Sequence, residues 1–264
     1  MHILEKKFRD AVAAGRYALI PFLTAGYPDE DAFWEDMGDL DKNGADVIEI
    51  GVPFSDPVAD GPVVENASRQ VLADGMILAR IMQGLREHQG FFNAGLVLMG
   101  YMNPFLQYGF EKLAKECEEV GVSGMIIPDL PYEEAAPYRE TLKKHGVALI
   151  ALVGPNTSEE RMKLYADVSE GYIYVVSVMG VTGERSSVAP AVVSTMERAR
   201  RCFRQPLALG FGLSHPEQLQ ILPDSAQPDA AVFGSALLKH LAAGLPASEF
   251  MGRWTGESGR RFKK

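Results

Sequence analysis

Apolar residues fall along the chain in two rhythms. In residues 3 to 14, Ile3, Leu4, Phe8 and Val12 recur at helical spacing and Gly15 follows, which predicts a short amphipathic helix at the start. After it come eight runs in which apolar residues are consecutive: 17–24, 46–52, 95–101, 124–130, 147–153, 171–178, 206–212 and 230–235. Between them, stretches such as 110–120, 133–145, 158–168 and 191–203 mix charge with apolar residues at helical spacing. Consecutive Ile, Val and Leu suit strands covered on both faces, and strand–helix alternation forces parallel pairing through right-handed crossovers. Eight such units in 264 residues predict a (β/α)8 barrel of the TIM type, a fold that commonly occupies about 250 residues. An open doubly wound sheet is the competing α/β arrangement. No linker or shift of composition divides the chain, so residues 1–264 read as one barrel domain with the opening helix under its floor. A flexible basic tail is expected from about residue 255, ending Arg260-Arg261-Phe262-Lys263-Lys264.

Composition narrows the partners. The formal charge of −9, from 26 Lys and Arg against 35 Asp and Glu, offers no general attraction to nucleic acid or anionic lipid, whose binding begins with clustered cations. The N-terminus turns charged at Glu5-Lys6-Lys7, where a signal peptide would become apolar. No apolar run approaches the roughly 18 residues a membrane span needs. Cys117 and Cys202 are too few for a disulfide framework, and the expected compartment is the cytoplasm. The five histidines are scattered without a metal-ligand motif and read as surface residues, so no metal is expected.

In a barrel of this kind the chemistry lies at the C-terminal ends of the strands. Alternation along the second run puts Val47, Glu49 and Gly51 on one face and Ile48, Ile50 and Val52 on the other. A carboxylate there is costly to ionise, and no Lys or Arg lies within six residues before it or nineteen after it. A raised pKa suits a proton donor, unless a distant base or backbone amides satisfy the group. Asp60 sits in a Pro/Gly-rich loop whose polar setting is expected to keep it ionised, so the two carboxyls divide acid and base work. Turn chemistry is the plainer reading of Asp60, and of Asp56 before Pro57.

Glycines at three late strand ends, Gly180/Gly183, Gly210/Gly212 and Gly234, are candidates to hold phosphate, with Ser235 as the cap of a following helix; tight turns are the alternative. Gly210-Phe211-Gly212-Leu213-Ser214-His215 lacks the last glycine of a dinucleotide fingerprint. Tyr101, Tyr172 and Tyr174 read as core residues, with Tyr174 in alternation to face inward near Glu49.

Four stretches together, PFLTAGYP at 21–28, EIGVPFSDP at 49–57 continued by Asp60-Gly61-Pro62, GVTG at 180–183 and GFGLS at 210–214, resemble the tryptophan synthase alpha chain family nearly end to end. The resemblance implies a (β/α)8 barrel that cleaves indole-3-glycerol phosphate to indole and glyceraldehyde 3-phosphate by a retro-aldol reaction, with no cofactor of its own. By matched position, Glu49 protonates the indole ring at C3 and handles the glycerol hydroxyl proton, Asp60 stabilises charge at the indole N–H, and Tyr174 is the site tyrosine. Phe22 and Tyr101 line the indole pocket, Thr182 belongs to a closing loop, and Gly183, Phe211, Gly212, Gly234 and Ser235 cradle phosphate. The family also implies a pyridoxal-phosphate-dependent beta chain in an αββα assembly, met through Pro53, Phe54, Asp56, Pro57, Asn103, Pro104 and Phe105. Three departures stand out. Val178 and Met179 replace Arg and a small residue near the closing loop, Glu65 replaces Gln and adds a negative charge beside Asp60, and Pro223 to Asp229 replaces a short turn, read as a loop change. Two alternatives stay open: a catalytically impaired subunit that acts allosterically on the beta chain, and another barrel enzyme acting on a phosphosugar.

Overall fold

A computed structural model describes residues 1–176, 190–210 and 212–255. Nine strand segments form one all-parallel sheet: β1 Ala18–Thr24, β2 Val47–Gly51, β3 Gly95–Met99, β4 Val122–Ile126, β5 Ala148–Leu149, β6 Ala151–Val153, β7 Ile173–Val176, β8 Leu207–Gly210 and β9 Ala230–Phe233. Their order is β5-β4-β3-β2-β1-β9-β8-β7-β6, so the two ends of the sheet are consecutive pieces of chain separated only by Ile150. The barrel closes through this broken fifth strand. On its other side β4, expected to reach Leu130, ends at Ile126: the Ile126 carbonyl accepts the Gly100 N–H of the β3 side at 3.0 Å, and Pro128, next to face that side, brings no N–H. Met125 pairs with Leu149, the Ile150 N–H still donates to the Met125 carbonyl at 2.9 Å, and from Ala151 the strand is bound to β7 instead.

Alternation sorts the side chains into two layers. Ile48 and Ile50 join the large outer core under the helices, whereas Val47, Val97, Ile126, Ala208 and Val232 fill the barrel's interior. The opening helix, Ile3–Ala13, is capped by the His2 ring accepting the Leu4 N–H, and its Leu4, Phe8 and Ala11 belong to that interior cluster. Leu4 is accommodated because β3 starts at Gly95 and β4 contains Gly124: a Cβ on either would lie within 2.8 Å of the Leu4 methyls. Phe8 stacks on Tyr172 with centroids 4.8 Å apart. Burying one such ring contributes about 1.5–3 kcal/mol, so the helix is part of the core that the strands enclose.

The expected helices are found at Phe110–Val120, Ala136–Lys144, Glu159–Ala166 and Pro190–Cys202, the second starting late because Pro137 favours a first-turn position. The segment Pro223 to Asp229 is more than a loop change. It forms a short 3-10 turn at Asp224–Ala226, then buries Gln227, which accepts from the Tyr17 hydroxyl at 2.6 Å and donates to the Leu219 and Leu222 carbonyls. Asp229 receives Arg200 at 2.7 Å and the Leu207 N–H at 2.9 Å. One histidine also departs from the surface reading: His240 is buried, with Nε2 3.0 Å from the Pro246 carbonyl oxygen. Among the described residues no helix is long and apolar enough to cross a membrane. The tail beyond Thr255 lies outside the described residues.

Candidate active site

Glu49 stands in the middle of β2, paired in register with Phe22 of β1 and Val97 of β3, and none of its surface is exposed. Among the described residues neither a distant base nor a backbone amide satisfies it. The Tyr172 hydroxyl donates to Oε1 at 2.7 Å, and Oε2 has no hydrogen-bond partner among the described residues. Burial raises its pKa to about 8, the Tyr172 bond only partly opposing the rise. The group is therefore a neutral carboxylic acid at pH 7. Tyr172, read from sequence as core, is the residue missed: it lies two positions before Tyr174, and the same alternation turns both inward.

Asp60 is carried by the loop after β2, where its N–H donates to the Pro57 carbonyl and the chain enters helix Pro62–Ala73. The Tyr101 hydroxyl ties this loop down, accepting the Ala59 N–H at 2.9 Å and donating to Asp60 Oδ2 at 3.2 Å. The expectation of a plainly polar setting needs correction. Burial raises the Asp60 pKa to about 6, with the Tyr101 bond acting to lower it. Asp60 still ionises below neutrality while Glu49 does not, so two carboxyls whose fields both reach Tyr174 carry opposite protonation at pH 7, Asp60 lining the cavity described below and Glu49 not among its lining residues. Glu65 is not among the causes of the Asp60 rise: it is half-buried and receives Arg69 at 2.7 Å.

Burial pushes the Tyr174 pKa well up, and the fields of both carboxyls add to the rise. Its ring fits because β8 ends in Gly210, where a Cβ would come within 2.5 Å of Tyr174 Cζ. Gly210, grouped from sequence with the phosphate glycines, thus makes room for a side chain. Gly51 does the same for Phe22, whose Cζ a Cβ would meet at 2.5 Å.

Phe22, Asp60, Tyr174, Gly212, Gly234 and Ser235 line one cavity of about 90 Å³. A narrower recess beside it is lined by Phe22, Thr24, Asp60, Tyr101 and Pro128, and here the buried Thr24 hydroxyl has no partner among the described residues. At the cavity's far side Gly234 precedes helix Ser235–Ala242 without any side-chain cap, so Ser235 is the first helical residue rather than the cap. The first turn leaves its backbone N–H groups without intrahelical partners, an arrangement suited to an anion. Thr182, Gly183 and Phe211, with Val178 and Met179, lie outside the described residues.

The expected partner surface is partly exposed. Asp56 and Asn103 face solvent, Pro57 and Pro104 are half-buried, and Phe54 stacks on Tyr101 at 5.1 Å. Pro53 is buried and Phe105 is fully so, packed beneath Gly100. Asn103, Pro104 and Phe105 belong to helix Met102–Tyr108 rather than a loop. Sequence reasoning passed over Val58, 88% exposed, and Leu106, 50% exposed, which place apolar surface at the same rim.

A family profile described as Tryptophan synthase alpha chain matches residues 8–253. Tryptophan synthase alpha chain of Desulfovibrio desulfuricans is 65% identical over 254 residues, 96% of this chain and 100% of that protein. Its counterpart in Nitratidesulfovibrio vulgaris is 57% identical over 251 residues, covering 95% of this chain and 97% of that one. Among solved structures, tryptophan synthase from Mycobacterium tuberculosis superposes with a TM-score of 0.89 at 32% identity over 99% of each chain. The alpha chain from Legionella pneumophila gives 0.83 at 30% identity, over 99% of this chain and 96% of that one.

Proposed function

Since the chain belongs to the tryptophan synthase alpha chain family, the lyase subunit that cleaves indole-3-glycerol phosphate by a retro-aldol reaction, we propose that Glu49 and Asp60 perform its acid–base work. The observation that carries this assignment is the split protonation of the two carboxyls, pKa about 8 against about 6, with Tyr174 between their fields. Neutral Glu49 delivers its proton to C3 of the indole while ionised Asp60 takes up the hydrogen bond, and the developing positive charge, of the ring N–H. The Glu49 carboxylate so formed then accepts the glycerol hydroxyl proton. The C–C bond to C3 breaks, its electron pair returns to the ring, and indole leaves with glyceraldehyde 3-phosphate, Glu49 being protonated again.

Phe22 and Tyr101 flank the ring, and Gly212, Gly234 and Ser235 take the phosphate at the N-terminus of helix Ser235–Ala242, joined on this reading by Thr182, Gly183 and Phe211. A beta chain is the partner, docking on the rim formed by Phe54, Asp56, Pro57, Asn103 and Pro104, with Pro53 and Phe105 supporting it from below. Pyridoxal phosphate belongs to that partner, the assembly is αββα, the compartment is the cytoplasm, and this chain works as one barrel domain. The test is indole release from indole-3-glycerol phosphate by the purified chain, alone and with a beta chain. Partner-stimulated turnover, lost in Glu49→Gln with substrate binding kept, is the expected result; near-normal turnover in that variant overturns the assignment.

A further inference from the structure

A chamber of about 410 Å³, within the size range of small-molecule sites, opens where the fifth strand breaks away from β4. Its floor is apolar, with Ile127, Leu130, Leu149 and Val168 among the lining residues. Tyr132 and Tyr165 add two rings 5.2 Å apart. The acids nearby are already engaged. Asp129 receives the Met102 N–H through both oxygens, at 2.9 and 3.2 Å, and Glu133 binds Arg161 through two bonds of 2.8 Å. Arg139 is the one Lys or Arg lining the chamber, and it has no ion pair among the described residues, only the Tyr132 ring 6.0 Å from its guanidinium carbon. The Tyr165 hydroxyl accepts from Arg161 Nε at 2.9 Å, which leaves its own proton to donate.

We propose that this chamber binds an aromatic carboxylate. The apolar floor and paired tyrosine rings select a flat hydrophobic body, and one unpaired guanidinium selects a single planar anion that its fork can meet with two parallel bonds. A phosphate gathers several cations or a helix N-terminus, and the catalytic cavity supplies the latter at Ser235. Pro128 lines both the chamber and the recess beside Asp60, so the occupant sits behind a wall of the active site. The Asp129 carboxylate also holds the helix that begins directly after Tyr101, the residue that binds Asp60.

The experiment is calorimetric titration of the full chain with indole-3-acetate and with neutral indole-3-acetamide. Saturable binding is expected, with the acid at least tenfold tighter than the amide. Arg139→Gln should weaken the acid tenfold or more and leave both the amide and turnover of indole-3-glycerol phosphate unchanged. Ala151→Phe, which fills the chamber, should abolish binding of the acid, while saturating the catalytic cavity of Glu49→Gln with indole-3-glycerol phosphate, which that variant holds without turning over, should leave it unchanged. Equal affinity for acid and amide, unaltered binding in Arg139→Gln, or no binding at all overturns the proposal.

Discussion

Replacing Glu49 by Gln keeps the size of the side chain and removes its titration, which makes the cost of burying this carboxyl measurable. The fold raises its pKa from 4.5 to about 8. A group whose folded pKa exceeds its unfolded value takes up a proton on folding, so its stabilising effect is complete below the unfolded value and is lost as pH rises through the folded one. At ~1.4 kcal/mol per pH unit the full span is worth ~5 kcal/mol at most. Asp60 and Asp36, both raised to about 6, lose their share at lower pH. The window from pH 6.5 to 9 therefore isolates Glu49, and the wild-type chain should lose ~2 kcal/mol across it. Urea unfolding at a series of pH values gives the curve for both proteins. The difference between wild type and Glu49→Gln should grow toward pH 6.5 and flatten above pH 9. Parallel curves would refute the assignment of a neutral, buried acid at position 49.

Catalysis needs Glu49 protonated and Asp60 ionised, so the pH dependence of kcat/KM should be bell-shaped with limbs near pH 6 and pH 8, measured by indole release. Tyr172→Phe removes the one donor to Glu49 among the described residues, which should move the alkaline limb upward and cost about 1 kcal/mol in urea unfolding. Tyr101→Phe releases both the Ala59 N–H and Asp60; the acidic limb should move upward, because the lost bond favoured the ionised form. Gly210→Ala drives a methyl group into the Tyr174 ring, and should lower kcat/KM at least tenfold while costing about 1–3 kcal/mol of stability.

How much of this was legible beforehand depended on how local each cause is. The strands announced themselves through consecutive Ile, Val and Leu, and Glu49 stood out because nothing near it in sequence could pair with it. The break at Ile150 was hidden, since residues 147–153 read as one apolar run and only the pairing of Ala148–Leu149 with β4 and of Ala151–Val153 with β7 divides them. Asp60 looked solvated because the tyrosine that holds it lies 41 residues further on. Gly210 resembled a phosphate glycine, and only the fold brings Tyr174 against it. Gln227 passed for part of a loop because its partners, Tyr17, Leu219 and Leu222, meet it only when the barrel floor is assembled.

That floor bears on the chemistry at the mouth. Phe8 stacks on Tyr172, and Tyr172 holds Glu49. The first dozen residues are thus a stopper two contacts away from the proton that is transferred, and they keep the underside of that proton's carrier dry. Acidity at one end of the barrel is conditioned by a seal at the other, and the opening helix, remote from every substrate atom, insulates the site as surely as the loops above shape it.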